Sequence, residues 1–155
     1  MKMFFGETKI VSNQEIQGYT DQLLKHFMTL SSDDLELRFF KSMTKEQITI
    51  WIETLSKKEN HFILVFNSKD EIVGLGQLAV SENSGDLSFS IVNSARGFGL
   101  GHNLLSKLIS KAKNLEIKKL YVVFKSCNAP VKKMISKFKF SLDYDFGEVQ
   151  GVLIQ

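Results

Sequence analysis

Three glycines occupy alternate positions 97, 99 and 101 in the stretch VNSARGFGLGHNLL, which runs from Val92 to Leu105. A glycine inside a regular element costs about 0.5–1 kcal/mol relative to alanine, so this density predicts a sharp turn or a close approach to a ligand. An apolar strand pattern precedes the glycines and a helical pattern follows them. Glycine-rich turns between a strand and a helix occur in several classes of anion-binding protein. The cluster is therefore the candidate functional centre.

The chain after the glycines reads as helix, strand, helix and strand. Residues 99–114 carry one apolar face, formed by Leu100, Leu104, Leu105, Leu108, Ile109 and Ala112. The run Leu120–Phe124 is typical of a strand buried on both faces. Asn128 is placed to cap a helix with Pro130 in its first turn, and we expect final strands at Phe140 and at 149–154.

The chain before the glycines predicts helices first and strands second. We expect a short strand at 9–11, a helix at 14–30, and two short helices that begin after Ser31 and at the capping box Thr44-x-x-Gln47. Strands are expected at 61–66, 72–79 and 87–92, with a turn at 81–85. This order predicts an α/β fold with a mixed sheet of about six to seven strands and helices on both faces.

Composition is that of one domain spanning residues 1–155, because 43% of residues are apolar and 24% are charged. No apolar run is long enough to cross a membrane and no signal peptide is evident, so we expect a cytoplasmic protein. The single cysteine, Cys127, excludes an internal disulfide and is interpreted as a packed core thiol. The three histidines share no ligand-like spacing, so no metal is expected.

The charge is distributed unevenly along the chain. Residues 1–95 carry 9 Lys and Arg against 13 Asp and Glu, whereas residues 96–155 carry 11 against 4. A basic second half that begins at the glycine cluster is consistent with an anionic ligand, and solvated lysine faces are the alternative cause. No nucleic-acid-binding motif or basic block with exposed aromatics is present, so nucleic acid is not an expected partner.

Two common phosphate-binding motifs do not match the spacing of the glycines. A Walker loop ends in Gly-Lys-Ser/Thr, whereas Gly101 is followed by His102 and Asn103. The dinucleotide motif Gly-x-Gly-x-x-Gly would need glycine at position 102. Neither motif accounts for the cluster.

The segment Arg96-Gly97-Phe98-Gly99-Leu100-Gly101 resembles the Arg/Gln-x-x-Gly-x-Gly/Ala signature of the GNAT superfamily of N-acetyltransferases. The resemblance implies that the N–H groups of this loop and of the helix start hold the pyrophosphate of acetyl-CoA. The co-substrate contacts that it implies fall on Phe89, Ile91, Arg96, Gly97, Phe98, Gly99, Leu100, Gly101, His102 and Asn128.

A second segment, Leu30 to Phe40, is similar to the Leu-Ser…Arg-Phe-Phe segment of GNAT domains in bacterial protein lysine acetyltransferases. In those relatives the domain is commonly fused to a regulatory region, and the present sequence contains none. The alternative interpretation of Arg38-Phe39-Phe40 is a helix end that docks two aromatic rings into the core.

Acetyl transfer to an amine requires a base, because an alkyl amine with a pKa near ~10.4 is protonated at neutral pH. Asp86 lies ten residues before Arg96, where the resembling enzymes carry a strand glutamate as general base. Strand alternation places Asp86 on one face with Ser88 and Ser90. The alternative is that Asp86 is a turn residue after Ser84-Gly85.

The acid that protonates the leaving thiolate is a tyrosine in many relatives, and Ile135 occupies that position here. Tyr121, Cys127, Tyr144 and solvent remain open as substitutes. Lys139 stands where the family usually has glycine, so the chain after this helix must either strain a lysine or take another path.

The sequence thus predicts direct acetyl transfer from acetyl-CoA to a primary amine by a monomer or homodimer that uses neither a metal nor a membrane. Protein lysine, N-terminal amine, polyamine and antibiotic amine all remain open as acceptors. A non-catalytic acyl-CoA sensor or scaffold is the alternative, because the acid and base positions depart from the family pattern.

Overall fold

A computed structural model describes residues 5–155 of the chain, and in this part it contains seven strands and five α-helices. The strands are β1 (Phe5–Ser12), β2 (Asn60–Asn67), β3 (Ile72–Ser81), β4 (Ser84–Ile91), β5 (Lys119–Lys125), β6 (Ser141–Asp145) and β7 (Glu148–Ile154). The helices are α1 (Thr20–Thr29), α2 (Ser32–Phe39), α3 (Lys45–Thr54), α4 (Leu100–Asn114) and α5 (Ala129–Ile135). Short 3-10 turns occur at Ile16–Tyr19 and Asn93–Ala95.

All seven strands form one mixed sheet in the order β1-β2-β3-β4-β5-β7-β6. The β4–β5 pair is parallel and every other neighbouring pair is antiparallel. The connection between the two parallel strands runs through α4, as a parallel crossover requires. The predicted mixed sheet of six to seven strands is confirmed.

The sheet opens between its two parallel strands. Their pairing runs from Ser84↔Lys119 to Leu87↔Val122 and then stops. Beyond this point β4 stays paired with β3 as far as Ile91, while β5 stays paired with β7 as far as Lys125. The two strands therefore diverge, and a wedge-shaped gap separates their C-terminal halves.

Helices cover both faces of the sheet, as the sequence predicts. On one face α2 reaches β3, where Arg38 bonds to Gln77. On the other face α4 lies so close to β3 that a Cβ atom on Gly76 would stand 2.9 Å from Leu108. Neighbouring strand residues point to opposite faces, so these two contacts place α2 and α4 on opposite sides.

The first helix, predicted at 14–30, is wrong at its start, because residues 14–19 are not α-helical. The Glu15 carboxylate accepts hydrogen bonds of 3.0 Å from both the N–H and the hydroxyl of Ser12, which closes a tight turn after β1. A 3-10 turn follows, and the α-helix begins only at Thr20. Gly18 in this stretch also has a low helix propensity.

The other predicted ends of helices and strands agree with the structure or differ from it by a few residues. The capping box is present, with Gln47 N–H donating to Thr44 Oγ1 at 3.1 Å and Thr44 N–H donating to Gln47 Oε1 at 2.9 Å. The strand expected at Phe140 begins one residue later, at Ser141. The turn expected at 81–85 is shorter, because Ser81 already pairs with Ser84.

Among residues 5–155, no helix is both long and apolar enough to cross a membrane.

Candidate active site

The gap between β4 and β5 continues into a cleft of about 850 Å³ that α2, α4 and α5 border. This volume lies in the upper part of the ~300–1,000 Å³ range of small-molecule sites. The lining is mainly apolar, with a few charged side chains, among them Arg38, Asp86 and Arg96. The cleft is therefore the candidate ligand-binding and active site.

The structure brings ten of the eleven predicted site residues to this cleft, and these are Asp86, Phe89, Ile91, Arg96, Gly97, Gly99, Leu100, Gly101, His102 and Asn128. Phe98 does not line it and is about half exposed on the loop. The sequence signature and the predicted base thus meet in one place, although they lie on different elements.

The three glycines have two different tasks. Gly97 and Gly99 have φ values of 85° and 79°, a region that side chains disfavour, and no atom lies within 4 Å of a Cβ built on either. A Cβ on Gly101 would instead lie 2.8 Å from Met134 Sδ. The first two glycines shape the loop, and the third lets α4 pack against α5.

The start of α4 offers N–H groups to the cleft. Gly99 is its N-cap residue, and no side chain caps the helix. The first N–H groups of an α-helix have no partner within the helix, and they carry the positive end of its dipole. Together with the open space at Gly97 and Gly99, this arrangement suits a phosphate group.

The exposed edge of β4 offers further main-chain groups. Val92 N–H donates to Val73 O at 3.0 Å, and in an antiparallel pair the hydrogen-bonded positions alternate. Residues 88, 90 and 92 therefore bond to β3, whereas the main-chain groups of Phe89 and Ile91 point toward the side of β5. The strand β5 has diverged at that level, so these groups face the cleft.

Arg96 fixes the loop between β4 and α4. Its Nε donates to Ile91 O at 3.1 Å, and its Nη2 forms an ion pair of 3.0 Å with Asp34 of α2. On the other side of the gap, Lys125 of β5 pairs with Glu36 of α2 at 3.4 Å. Helix α2 is thus connected to both diverging strands.

Positive charge borders the cleft at α5. Lys133 of α5 and Lys137, two residues after the helix, line it. Asn128 Oδ1 accepts from Val131 N–H at 3.4 Å to cap the helix, as the sequence predicts. The His102 ring stacks on Phe138 with 4.9 Å between ring centroids. The chain after α5 avoids a left-handed Lys139 by continuing through a right-handed Ser136.

Asp86 is a strand residue, and the alternative that it belongs to a turn is wrong. It lies in β4, with Ala79 of β3 on one side and Tyr121 of β5 on the other. No hydrogen bond or ion pair within residues 5–155 engages its carboxylate. Desolvation by burial raises its pKa above the usual value of 3.8, which makes it a stronger base than an ordinary aspartate.

The structure separates the three candidate acids. Tyr121 and Cys127 line the cleft, whereas Tyr144 lies on β6, outside it, under Lys132. Ile135, at the position of the usual tyrosine, is fully buried in the core. Cys127 is exposed, so the prediction of a packed core thiol is wrong. The turn that follows β5 holds it at the surface.

A buried pair that the sequence analysis did not identify lies beside the site. His26 Nδ1–H donates to Ile72 O at 2.8 Å, so Nε2 is left to accept from the Ser90 hydroxyl at 2.7 Å. Burial lowers the pKa of His26 to about 4. A histidine with so low a pKa is a weak base, and the pair instead ties α1 to β3 and β4.

The Arg-Phe-Phe segment is only partly as expected. Phe39 packs against Phe27 and Trp51 with centroid distances of 5.4 and 5.0 Å. Phe40 adopts φ 63° at the end of α2, is 37% exposed and lines the cleft. The prediction that both rings enter the core is therefore wrong for Phe40. Arg38 also lines the cleft, on the face that carries Asp86.

An α/β sheet that opens beside an uncapped, glycine-rich helix start leaves room for an extended, phosphate-bearing ligand between two strands. The model of the Acetyltransferase (GNAT) family matches residues 23–140. The chain belongs to this family of acetyltransferases. A comparison with curated protein sequences finds no match.

Solved structures share the fold at low sequence identity. The GNAT domain of PAT from S. lividans has a TM-score of 0.75 and 11% identity, with 96% of this chain and 89% of that chain covered. Phosphinothricin acetyltransferase from Sinorhizobium meliloti, in complex with AcCoA, has a TM-score of 0.70 and 11% identity, covering 96% and 87%. PaiA N-acetyltransferase from Thermoplasma acidophilum, in complex with coenzyme A, has a TM-score of 0.67 and 15% identity, covering 97% and 100%.

Residues 5–155 contain no group of three or more His, Cys, Asp or Glu side chains placed to hold a metal ion.

Proposed function

We propose that the protein transfers the acetyl group of acetyl-CoA directly to a primary amine. The observation that carries this proposal is the divergence of β4 and β5 after Leu87↔Val122. It opens a cleft between an uncapped helix start and the unpaired carboxylate of Asp86. Both reactants therefore find complementary groups in one site.

Acetyl-CoA fits the groups that the cleft presents. Its pyrophosphate suits the N–H groups of the 97–102 loop, and Lys133 and Lys137 supply positive charge nearby. Its pantetheine arm carries two amides, which suit the main-chain groups of Phe89 and the N–H of Ile91 on an open strand edge, while Ile91 O is occupied by Arg96. Bound acetyl-CoA supplies an activated acyl group and a thiol leaving group.

Asp86 is the proposed base. The protonated amine gives one proton to the Asp86 carboxylate, and its nitrogen then attacks the thioester carbonyl carbon. The C–S bond breaks, the electron pair leaves with sulfur, and the new bond is an amide. Tyr121, beside Asp86 on the neighbouring strand, is the proposed proton donor to the thiolate, with Cys127 and solvent as the alternatives. The second proton of the amine leaves the nitrogen as the tetrahedral intermediate collapses and replaces the proton that the donor gives up, and Asp86 releases its proton to solvent.

The test is release of CoA thiol in the presence of amines. We expect release from acetyl-CoA with at least one member of a panel containing lysine peptides, N-terminal peptide amines, polyamines, aminoglycosides and amino acids. The absence of a tyrosine at Ile135 favours one second candidate, an acyl-CoA sensor. Micromolar acetyl-CoA binding without thiol release from any amine supports the sensor and overturns the enzyme.

The proposal also covers the location and the assembly of the protein. We place the protein in the cytoplasm, as a single domain that acts as a monomer or homodimer without nucleic acid or membrane partners. The unpaired Cys127 is consistent with a reducing compartment.

A further inference from the structure

The charged side chain of Arg38 lies against the sheet and lines the cleft on the face that carries Asp86. Its Nη2 donates to Gln77 Oε1 at 3.0 Å, and its guanidinium lies 4.8 Å from the Phe39 ring and 5.3 Å from the Trp51 ring. Burial lowers its pKa to about 10, so it remains charged at neutral pH. All of these neighbours are uncharged.

The amide of Gln77 is oriented by a chain of hydrogen bonds. Asn60 Nδ2 donates to Leu55 O and Lys58 O, so its Oδ1 is the acceptor and takes a hydrogen bond from Gln77 Nε2 at 3.0 Å. Gln77 Oε1 must then face Arg38. This oxygen satisfies one donor of the guanidinium and leaves its charge uncompensated.

No carboxylate neutralises Arg38 within residues 5–155, because it takes part in none of the ion pairs found there. A guanidinium has five N–H donors, and only one described hydrogen bond uses them. In the same residues no buried side-chain nitrogen lacks a partner, so the remaining donors of Arg38 reach open space in the cleft. Arg38 is partly exposed at the cleft, and a partly buried charge without a countercharge suits an anionic group of a ligand there.

Asp86 complements Arg38 on the same face. Gln77 is the register partner of Ser88, which lies two residues from Asp86, about 6.5–7 Å along the strand. The carboxylate of Asp86 is also without a partner in the described residues. One unpaired negative group and one unpaired positive group therefore lie a short distance apart, beside the point where the strands diverge.

We propose that the acceptor is a small zwitterionic amine of the amino-acid type, whose carboxylate binds Arg38 while its amine lies at Asp86. This inference rests on the proposed acetyl transfer for the role of the amine, but not for the recognition of the carboxylate. Because Arg38 and Asp86 line the same cleft, the anionic group must enter it with the amine.

The experiment compares each acid with its neutral analogue. The probes are the L-amino acids, 3-aminopropanoate and 4-aminobutanoate, each paired with its primary amide. Thiol release gives kcat/KM, and calorimetry on protein saturated with CoA gives affinity without turnover. We expect at least one acid to exceed its amide by about tenfold or more, since a lost charged hydrogen bond has about this effect.

Two variants and a control assign the preference to Arg38. Arg38→Gln should raise KM for the acid at least tenfold, leave the amide unchanged and so abolish the preference, while Arg38→Lys should retain part of it. Lys41→Gln, at an exposed residue outside the cleft, should change neither. Acetyl-CoA affinity should be unaltered in all three.

The outcomes separate this inference from the proposed function. Absence of thiol release with every probe and every amine of the wider panel overturns acetyl transfer, while the calorimetric comparison still decides carboxylate recognition. Equal affinity for acids and amides in the wild-type protein overturns the inference, even if the Arg38 variants fail to fold. So does an acid preference that survives Arg38→Gln, or a loss of acetyl-CoA affinity in that variant.

Discussion

Asp86 of β4 and Tyr121 of β5 are register partners in the parallel pair, one residue before the two strands separate. Parallel neighbours in register carry their side chains on the same face of the sheet, so the carboxylate and the phenol stand side by side at the start of the gap. As the proposed base and the proposed acid, the two groups suit a reaction that removes a proton from the nucleophile and returns one to the leaving group.

Replacing Asp86 with asparagine should lower turnover by roughly 100-fold or more, in the usual range for loss of a general base. Acetyl-CoA affinity should change little. Asp143→Asn is the matched control, because it removes an exposed carboxylate from β6, outside the cleft. Near-normal turnover in Asp86→Asn at neutral pH would exclude Asp86 as the base.

The fall of wild-type turnover at low pH should report the protonation of Asp86. Burial raises its pKa, so the carboxyl becomes protonated, and turnover falls, at a higher pH than for an exposed aspartate. The acid limb of kcat, measured at saturating acceptor, should therefore have a midpoint above 3.8. The limb should be absent from the residual activity of Asp86→Asn, and its persistence there would assign it to another group.

Tyr121→Phe should lower kcat by about tenfold to 100-fold. This loss in kcat is at or below the usual contribution of a general acid. A thiolate, whose conjugate thiol has a pKa near ~8.5, leaves more readily than an alkoxide and so depends less on protonation. Cys127→Ser tests the other candidate in the cleft, and Tyr144→Phe is the control outside it. A normal kcat in Tyr121→Phe, with a large loss in Cys127→Ser, would transfer the role to the thiol.

Gly99→Val should weaken acetyl-CoA binding at least tenfold while the domain remains folded, because valine disfavours φ 79° and adds bulk to the loop. The matched control is Gly147→Val, which imposes similar strain at φ 81° in the β6–β7 turn. Calorimetry and thermal melts compare the two variants. Equal acetyl-CoA affinity in both would argue against a phosphate site at the loop.

Stability should fall as pH drops from about 6.5 to about 4 because His26 is neutral in the folded protein. Its native pKa of about 4 lies below the unfolded value of 6.5, so the unfolded state binds the proton first. The contribution is fully present above pH 6.5, and about 3 kcal/mol is lost by pH 4. Urea denaturation at several pH values gives the free energy of unfolding as a function of pH. This free energy should depend less steeply on pH in His26→Gln than in the wild-type protein, whereas His61→Gln should leave the pH dependence unchanged.

Local signals in the sequence were sufficient for most of the fold. The capping box at Thr44 and the cap at Asn128 each involve partners within three residues, and both are present. The helix expected from Gln14 failed because a side-chain bond between Ser12 and Glu15 competes with the first helical turn. Periodicity does not report such a bond.

The co-substrate loop was also accessible from sequence, because its residues are contiguous from Arg96 to His102. The contacts made by α1 and α2 beside the cleft were not accessible from sequence. Arg38 reaches Gln77 across 39 residues, and His26 reaches Ser90 across 64. Contacts over such distances depend on how α1 and α2 lie on the sheet, which no local pattern determines. Cys127 was misjudged for a related reason, since burial depends on the turn after β5.

The ion pairs from α2 to Arg96 and Lys125 have a mechanical consequence. Elsewhere in the sheet, hydrogen bonds hold neighbouring strands about 4.7–4.9 Å apart. Across the gap the ladder is missing, and α2 spans it with two solvent-accessible ion pairs worth about 0–1 kcal/mol each. The gap is therefore the most compliant part of the sheet. A ligand whose amides bond to β4 replaces the missing ladder, so binding stiffens the sheet more than it reshapes it.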